Sequence, residues 1–75
     1  MKLDRRYKGI GHYYTLDRKY CIEKLASLQV YSIRNMETKE KLMAADYNEP
    51  GFGVLMFTTI KEAADFLEKN FHPAM

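Results

Sequence analysis

Only one stretch of this 75-residue chain carries an unbroken helical period, and it lies toward the carboxyl end. Thr59-Ile60-Lys61-Glu62 reads as a capping box, in which the threonine oxygen takes the amide three residues on and the glutamate reaches back. From there Ile60, Ala63, Ala64, Leu67 and Phe71 fall on one face, and Lys61, Glu62, Asp65, Glu68 and Lys69 on the other. Asp65 and Lys69 are spaced for an i,i+4 ion pair, and His72-Pro73 stops the helix because proline disfavours helical geometry in the residue before it. A helix over 59–71 therefore covers one side of whatever precedes it, and one side only.

What precedes it reads as strand. Gly53 to Phe57 is an apolar run entered from the turn signal Pro50-Gly51. Lys41 to Tyr47 and Leu28 to Arg34 are two more candidates, joined through Asn35-Met36-Glu37-Thr38, and Ile10 to Leu16 alternates as a fourth. Residues 17–27 fit either a helix capped by Asp17 or the second arm of a hairpin, with helix preferred. The fold class is then α+β: a small antiparallel sheet of three to four strands packed by a carboxyl-terminal helix (59–71), with a second helix at 17–27 as the preferred reading of that segment. Residues 1–75 make a single small domain, and residues 1–8, with four cations and few apolar groups, make a flexible basic arm unless a partner or the sheet edge orders them.

Charge is divided along the chain. Residues 1–35 hold eight Lys/Arg against three acids, residues 36–75 hold four against seven, and five of the six tyrosines lie in the basic part. One cysteine permits no intrachain disulfide, which favours a reducing compartment, the cytoplasm. No apolar run reaches the roughly 18 residues of a membrane span, so no membrane partner is expected.

Sites for chemistry are scarce. Cys21, His12 and His72 stand at no recognised ligand spacing, so no metal site is expected, and Cys21 between Tyr20 and Ile22 reads as a small buried hydrophobe. Gly9-Ile10-Gly11 and Gly51-Phe52-Gly53 lack the context of a phosphate or dinucleotide loop, and no nucleophile-elbow sequence occurs. The expectation is a chain without catalytic residues or cofactor: not an enzyme.

Binding is the remaining class. The expected sheet has apolar side chains on both sides, and the helix covers one. The favoured reading is a small non-enzymatic binding or regulatory protein, inhibitor-like and of phage or mobile-element type, that occupies the surface of a partner protein or pairs with its own copy as a homodimer. Tyr7, Tyr13, Tyr31, Met43, Phe52 and Phe66 are the partner contacts on this reading, rimmed by a basic patch of Arg5, Arg6, Lys8, Arg18, Lys19 and Arg34.

The strand-to-helix join Val54-Leu55-Met56-Phe57-Thr58-Thr59-Ile60-Lys61-Glu62-Ala63-Ala64, after two candidate strands, resembles the three-strand-plus-helix DNA-binding domains at the amino terminus of phage integrases, over about residues 28–71. That resemblance implies a sheet face set into the major groove with Arg and Lys along its strands. Here those strands carry Met43, Ala45, Leu55 and Phe57, with Arg34, Lys39 and Lys41 as the cations. The alternative it supports is a nucleic-acid-binding module in which the basic patch meets phosphates and Tyr13 or Tyr31 stacks on a base.

Overall fold

The computed structural model describes residues 1–51 and 53–71. They form a five-stranded antiparallel sheet whose strands lie side by side in sequence order, with one α-helix laid across one face. The strands are β1 (Leu3–Asp4), β2 (His12–Thr15), β3 (Tyr20–Lys24), β4 (Tyr31–Asn35) and β5 (Met56–Phe57), followed by α1 (Ile60–Phe71). The α+β class and the helix at the carboxyl end are as the sequence indicates, with five strands in place of three to four.

Two strands are additional to those expected, β1 from the basic arm and β3 from the ambiguous segment, while 41–47 is not a strand of the sheet. Residues 17–27 contain no helix, because Asp17 serves the β2–β3 turn instead of capping one: its Oδ1 takes the Thr15 hydroxyl at 2.6 Å and the Lys19 N–H at 3.0 Å. Thr15 Oγ1, almost fully buried, in turn accepts the Tyr20 N–H at 3.1 Å. Beyond that turn Tyr20, Ile22 and Lys24 alternate with Cys21 and Glu23, a strand's period of two, and Ile22 pairs with Tyr13 on one side and Ile33 on the other.

The basic arm is tied to the sheet edge, where Leu3 pairs with Thr15 and Asp4 with Tyr14. A short 3-10 turn, Lys8–Ile10, then leads into β2 through Gly11. Gly11 has φ +76 and lies so close to β3 that an added Cβ would sit 3.0 Å from the Lys24 Cβ, both of which demand glycine.

After β4 the chain does not continue the expected meander. The turn at 35–40 is built by Asn35, whose Oδ1 accepts the N–H groups of Glu37 and Thr38 at 2.9 and 3.2 Å. It returns Lys41 beside Arg34 and bonds the Leu42 N–H to the Ile33 carbonyl, but from Ala44 the chain turns into a 3-10 segment, Ala44–Tyr47, instead of extending to Tyr47. Met43 meets Val54 in an isolated bridge, and only then does β5 pair with Tyr31 and Ser32. Residues 28–71 thus contribute two strands of the sheet, not the three of the integrase-like pattern.

The helix begins with the threonine half of the capping box, Thr59 Oγ1 accepting the Glu62 N–H at 3.1 Å, while the Glu62 carboxylate reaches back to the hydroxyls of Thr58 and Thr59. Its buried face is Ala63, Ala64, Phe66 and Leu67, packed on Ile22, Ile33, Leu42, Ala44 and Leu55. The i,i+4 ion pair of its outer face is Lys61–Asp65 at 2.7 Å, not Asp65–Lys69, and Glu68 pairs instead with the Met1 ammonium at 2.7 Å. His72-Pro73, expected to end the helix, lie outside the described residues.

Phe66 is a correction to the expected contact surface. It is buried, because the 3-10 segment brings Tyr47 to its edge at 5.2 Å and β5 brings Phe57 to 5.4 Å, enlarging the helix's buried arc beyond the 100° stripe.

Candidate functional site: the open face of the sheet

Because neighbours in paired strands point to the same side, the register assigns every side chain a face. Tyr13, Thr15, Tyr20, Ile22, Tyr31, Ile33 and Phe57 lie under the helix. Asp4, His12, Tyr14, Cys21, Glu23, Ser32, Arg34 and Met56 lie on the opposite face, which no element covers among the described residues. This open face is polar and aromatic at its centre, contrary to the sequence-based expectation of an apolar surface on both sides.

The open face has three parts. At the β1–β2 edge, Asp4 accepts hydrogen bonds from both Arg6 (2.7 Å) and Arg18 (2.7 Å). The Arg6 side chain, then its backbone N–H, and the charge of Arg18 hold the Asp4 carboxyl well below the usual carboxylate range. Arg18 also lies over the Tyr14 ring at 5.1 Å, Arg6 over the Tyr7 ring at 5.6 Å, and the two tyrosines meet edge to face at 5.5 Å, with His12 beyond at 6.2 Å. Burial raises the Tyr14 hydroxyl above its ordinary pKa, so the ring stays neutral near pH 7.

The middle is organised by Glu23. Its Oε2 accepts the Arg34 Nε at 3.0 Å and lies 4.0 Å from His12 Nε2, while its Oε1 lies 4.0 Å from Lys41 Nζ. Arg34 is further anchored by the Lys39 carbonyl. Beneath this layer Cys21 is 1% exposed and Ser32 0%, and the Ser32 hydroxyl has no hydrogen-bond partner. Burial pushes the Cys21 thiol up to about 11.

At the β5 flank the face turns apolar. Met43 and Met56 are 40% and 50% exposed, with Val54 beside Met43. Across the whole face four cations, Arg6, Arg18, Arg34 and Lys41, are paired to two acids, Asp4 and Glu23, leaving it net positive.

The residues singled out from sequence are divided by this geometry. Tyr7, Met43, Arg6, Arg18 and Arg34 come together on the open face. Tyr13 and Tyr31 pack edge to face at 6.5 Å on the helix side and belong to the rim of the core. Arg5 lies over Tyr13 on that same side, Lys19 belongs to the β2–β3 turn and Lys8 to the 3-10 turn before β2. Phe52 lies outside the described residues.

Sequence reasoning missed Tyr14, Glu23, Lys41, Ser32 and Met56 as face residues, and it considered His12 with Cys21 only at a spacing that suggested no site. The signal that finds most of them is the alternation within 20–24 read as strand, since it sets Cys21 and Glu23 beside Tyr14 and His12. Among the described residues no helix is long and apolar enough to cross a membrane. Comparison with protein-family models, with curated proteins and with solved structures finds no match to this chain.

Proposed function

We propose that the chain is a binding module without catalytic chemistry of its own, and that its open sheet face takes single-stranded nucleic acid. The observation that carries this reading is the cluster at the β1–β2 edge: Tyr7, Tyr14 and His12 side by side, with two guanidinium groups on the tyrosine rings. Stacked bases and phosphates call for this combination of aromatic planes and cations on an open groove or sheet. The surplus of cations over acids on the same face supplies the attraction, and Arg34 and Lys41 extend it toward β5.

The test is fluorescence anisotropy with short labelled single-stranded DNA and RNA and with duplex DNA, each at low and at physiological salt. Single strands are expected to bind more tightly than duplex and to weaken as salt rises. Tyr14→Ala should reduce affinity by about 1–3 kcal/mol, with Tyr14→Leu, which keeps the bulk, losing affinity as well. Absence of binding at low salt, or full affinity in both variants, overturns the reading.

A second reading is favoured by one observation, the exposed Met43 and Met56 with half-buried Val54 beside them on the β5 flank. Flexible, polarisable methionines suit an adaptable protein contact. On that reading the chain occupies a partner protein's surface or a second copy of itself, and Met43→Glu with Met56→Glu abolishes association while leaving strand binding intact.

A further inference from the structure

The three side chains that meet in the middle of the open face do so with the chemistry of a metal site, and only His12 is shared with the aromatic cluster on which the nucleic-acid reading rests. One donor atom from each of His12, Cys21 and Glu23 lies within 4.8 Å of the other two. The register explains the convergence. His12 stands directly opposite Glu23 across the β2–β3 pair, and Cys21 precedes Glu23 by two residues on β3, so all three side chains emerge on one side of the sheet. A tetrahedral zinc-class ion with bonds of about 2.0–2.3 Å spaces its donors about 3.5 Å apart. The donors must therefore draw together by roughly 1 Å to hold such an ion.

Two further observations point the same way. The Cys21 sulfur makes a 3.7 Å hydrogen bond to the Ile22 carbonyl, and the Tyr13 backbone beside it favours the thiolate form that a metal would take. Ser32, which faces Glu23 across the β3–β4 pair, keeps a fully buried hydroxyl with no partner. A buried hydroxyl without a hydrogen bond is unusual in a sheet whose other polar groups are served, and a water on a bound ion would serve it. Arg34 fixes the Glu23 carboxylate through Oε2, the oxygen that also lies 4.0 Å from His12 Nε2, as donors outside the coordination sphere orient metal-ligating carboxylates.

We propose that His12, Cys21 and Glu23 bind one thiophilic divalent cation of the zinc class. On binding, the Cys21 S–H bond breaks, its proton leaves to solvent and the sulfur electron pair forms the metal–sulfur bond. The His12 imidazole nitrogen and one Glu23 oxygen supply the second and third bonds, and water takes the fourth position. No electron is transferred. The sulfur and nitrogen donors exclude magnesium and calcium, which take oxygen ligands. Arg34 and Lys41 lie beside the site and oppose a dication, so its affinity falls below that of an all-cysteine structural site.

The test uses the full chain, stripped with chelator and kept reduced by a phosphine, with cobalt(II) alone as the probe. A thiolate-to-cobalt charge-transfer band saturating at one ion per chain is expected, with one proton released per ion, and zinc(II) should bleach it. Cys21→Ser should remove the band. His12→Gln, at a half-exposed position that spares the core, should weaken binding about tenfold or more, and Glu23→Gln likewise, whereas His72→Gln should titrate as the parent does. Circular dichroism confirms that each variant is folded, and the His12 variant decides the matter if Cys21→Ser is not. No charge-transfer band, or unchanged titration of His12→Gln, overturns the site and leaves the nucleic-acid reading untouched.

Discussion

Ile22 and Ile33 face each other across the β3–β4 pair, and neither exposes any surface. They are the floor on which Leu67 and Ala63 of the helix rest, and a 75-residue chain has few other side chains to carry its stability. Ile33→Ala is therefore expected to cost about 2–5 kcal/mol and Ile33→Val about 0.5–1.5 kcal/mol, read from urea midpoints. Phe66→Ala belongs with them: about 3–5 kcal/mol of stability should be lost, with strand binding per folded molecule unchanged. A Phe66→Ala protein as stable as the parent would remove Phe66 from the core.

Thr15 holds the β2–β3 turn through one buried oxygen that serves both Asp17 and the Tyr20 N–H. Thr15→Val keeps the shape and removes that oxygen, stranding the Tyr20 amide at the start of β3. A loss of about 1–3 kcal/mol is expected. Hydrogen exchange at the Tyr20 amide should accelerate ahead of the Ile22 and Ile33 amides, and equal acceleration throughout would show that the effect is not local.

Gly11 meets two constraints, a left-handed backbone and the Lys24 Cβ, so Gly11→Ala should destabilise by about 1–2 kcal/mol from the backbone alone. Lys24→Gly in the same chain relieves the side-chain contact but not the backbone strain, and partial recovery in a double-mutant cycle is the expected outcome. Full recovery would assign the whole effect to the contact.

Asp4, between two guanidinium groups, has a folded-state pKa depressed below its unfolded value near 4. Its contribution is complete above that unfolded value and is lost as the pH falls below about 4 toward the folded-state value. The stability difference between the parent and Asp4→Asn, measured by urea unfolding, should be largest at neutral pH and shrink steadily below pH 4. High salt should reduce it at neutral pH as well. A difference that grows on acidification would show that the carboxylate is destabilising.

The helix and the strand character of the chain were legible in sequence because each rests on local chemistry: Thr59 and Glu62 make a cap wherever they fall, and Asn35 makes a turn from its own side chain. Residues 17–27 were not, since Asp17 suits a turn as well as a helix cap, and the choice is made by Ile22 pairing with Tyr13 and Ile33 on the strands to either side. Phe66 was misplaced for a related reason. A helical wheel knows nothing of Tyr47, which the 3-10 segment carries round to extend the core. The open face suffered most, because reading 17–27 as helix hides the row that joins Tyr14 and His12 to Cys21 and Glu23. The excess of cations in the first half was visible at once, but its division between the two sides of the sheet required the register.

Sequence-ordered strands with the helix last also bear on the order in which the sheet is sheltered. The β1–β2, β2–β3 and β3–β4 pairs close over short connections, so their loop-closure entropy is small, whereas β5 reaches β4 only across residues 36–55. Ile22, Ile33 and Leu55 nevertheless have no roof until residues 60–71 leave the ribosome. Any state in which the strands pair before α1 docks would lay that greasy floor open and invite clumping.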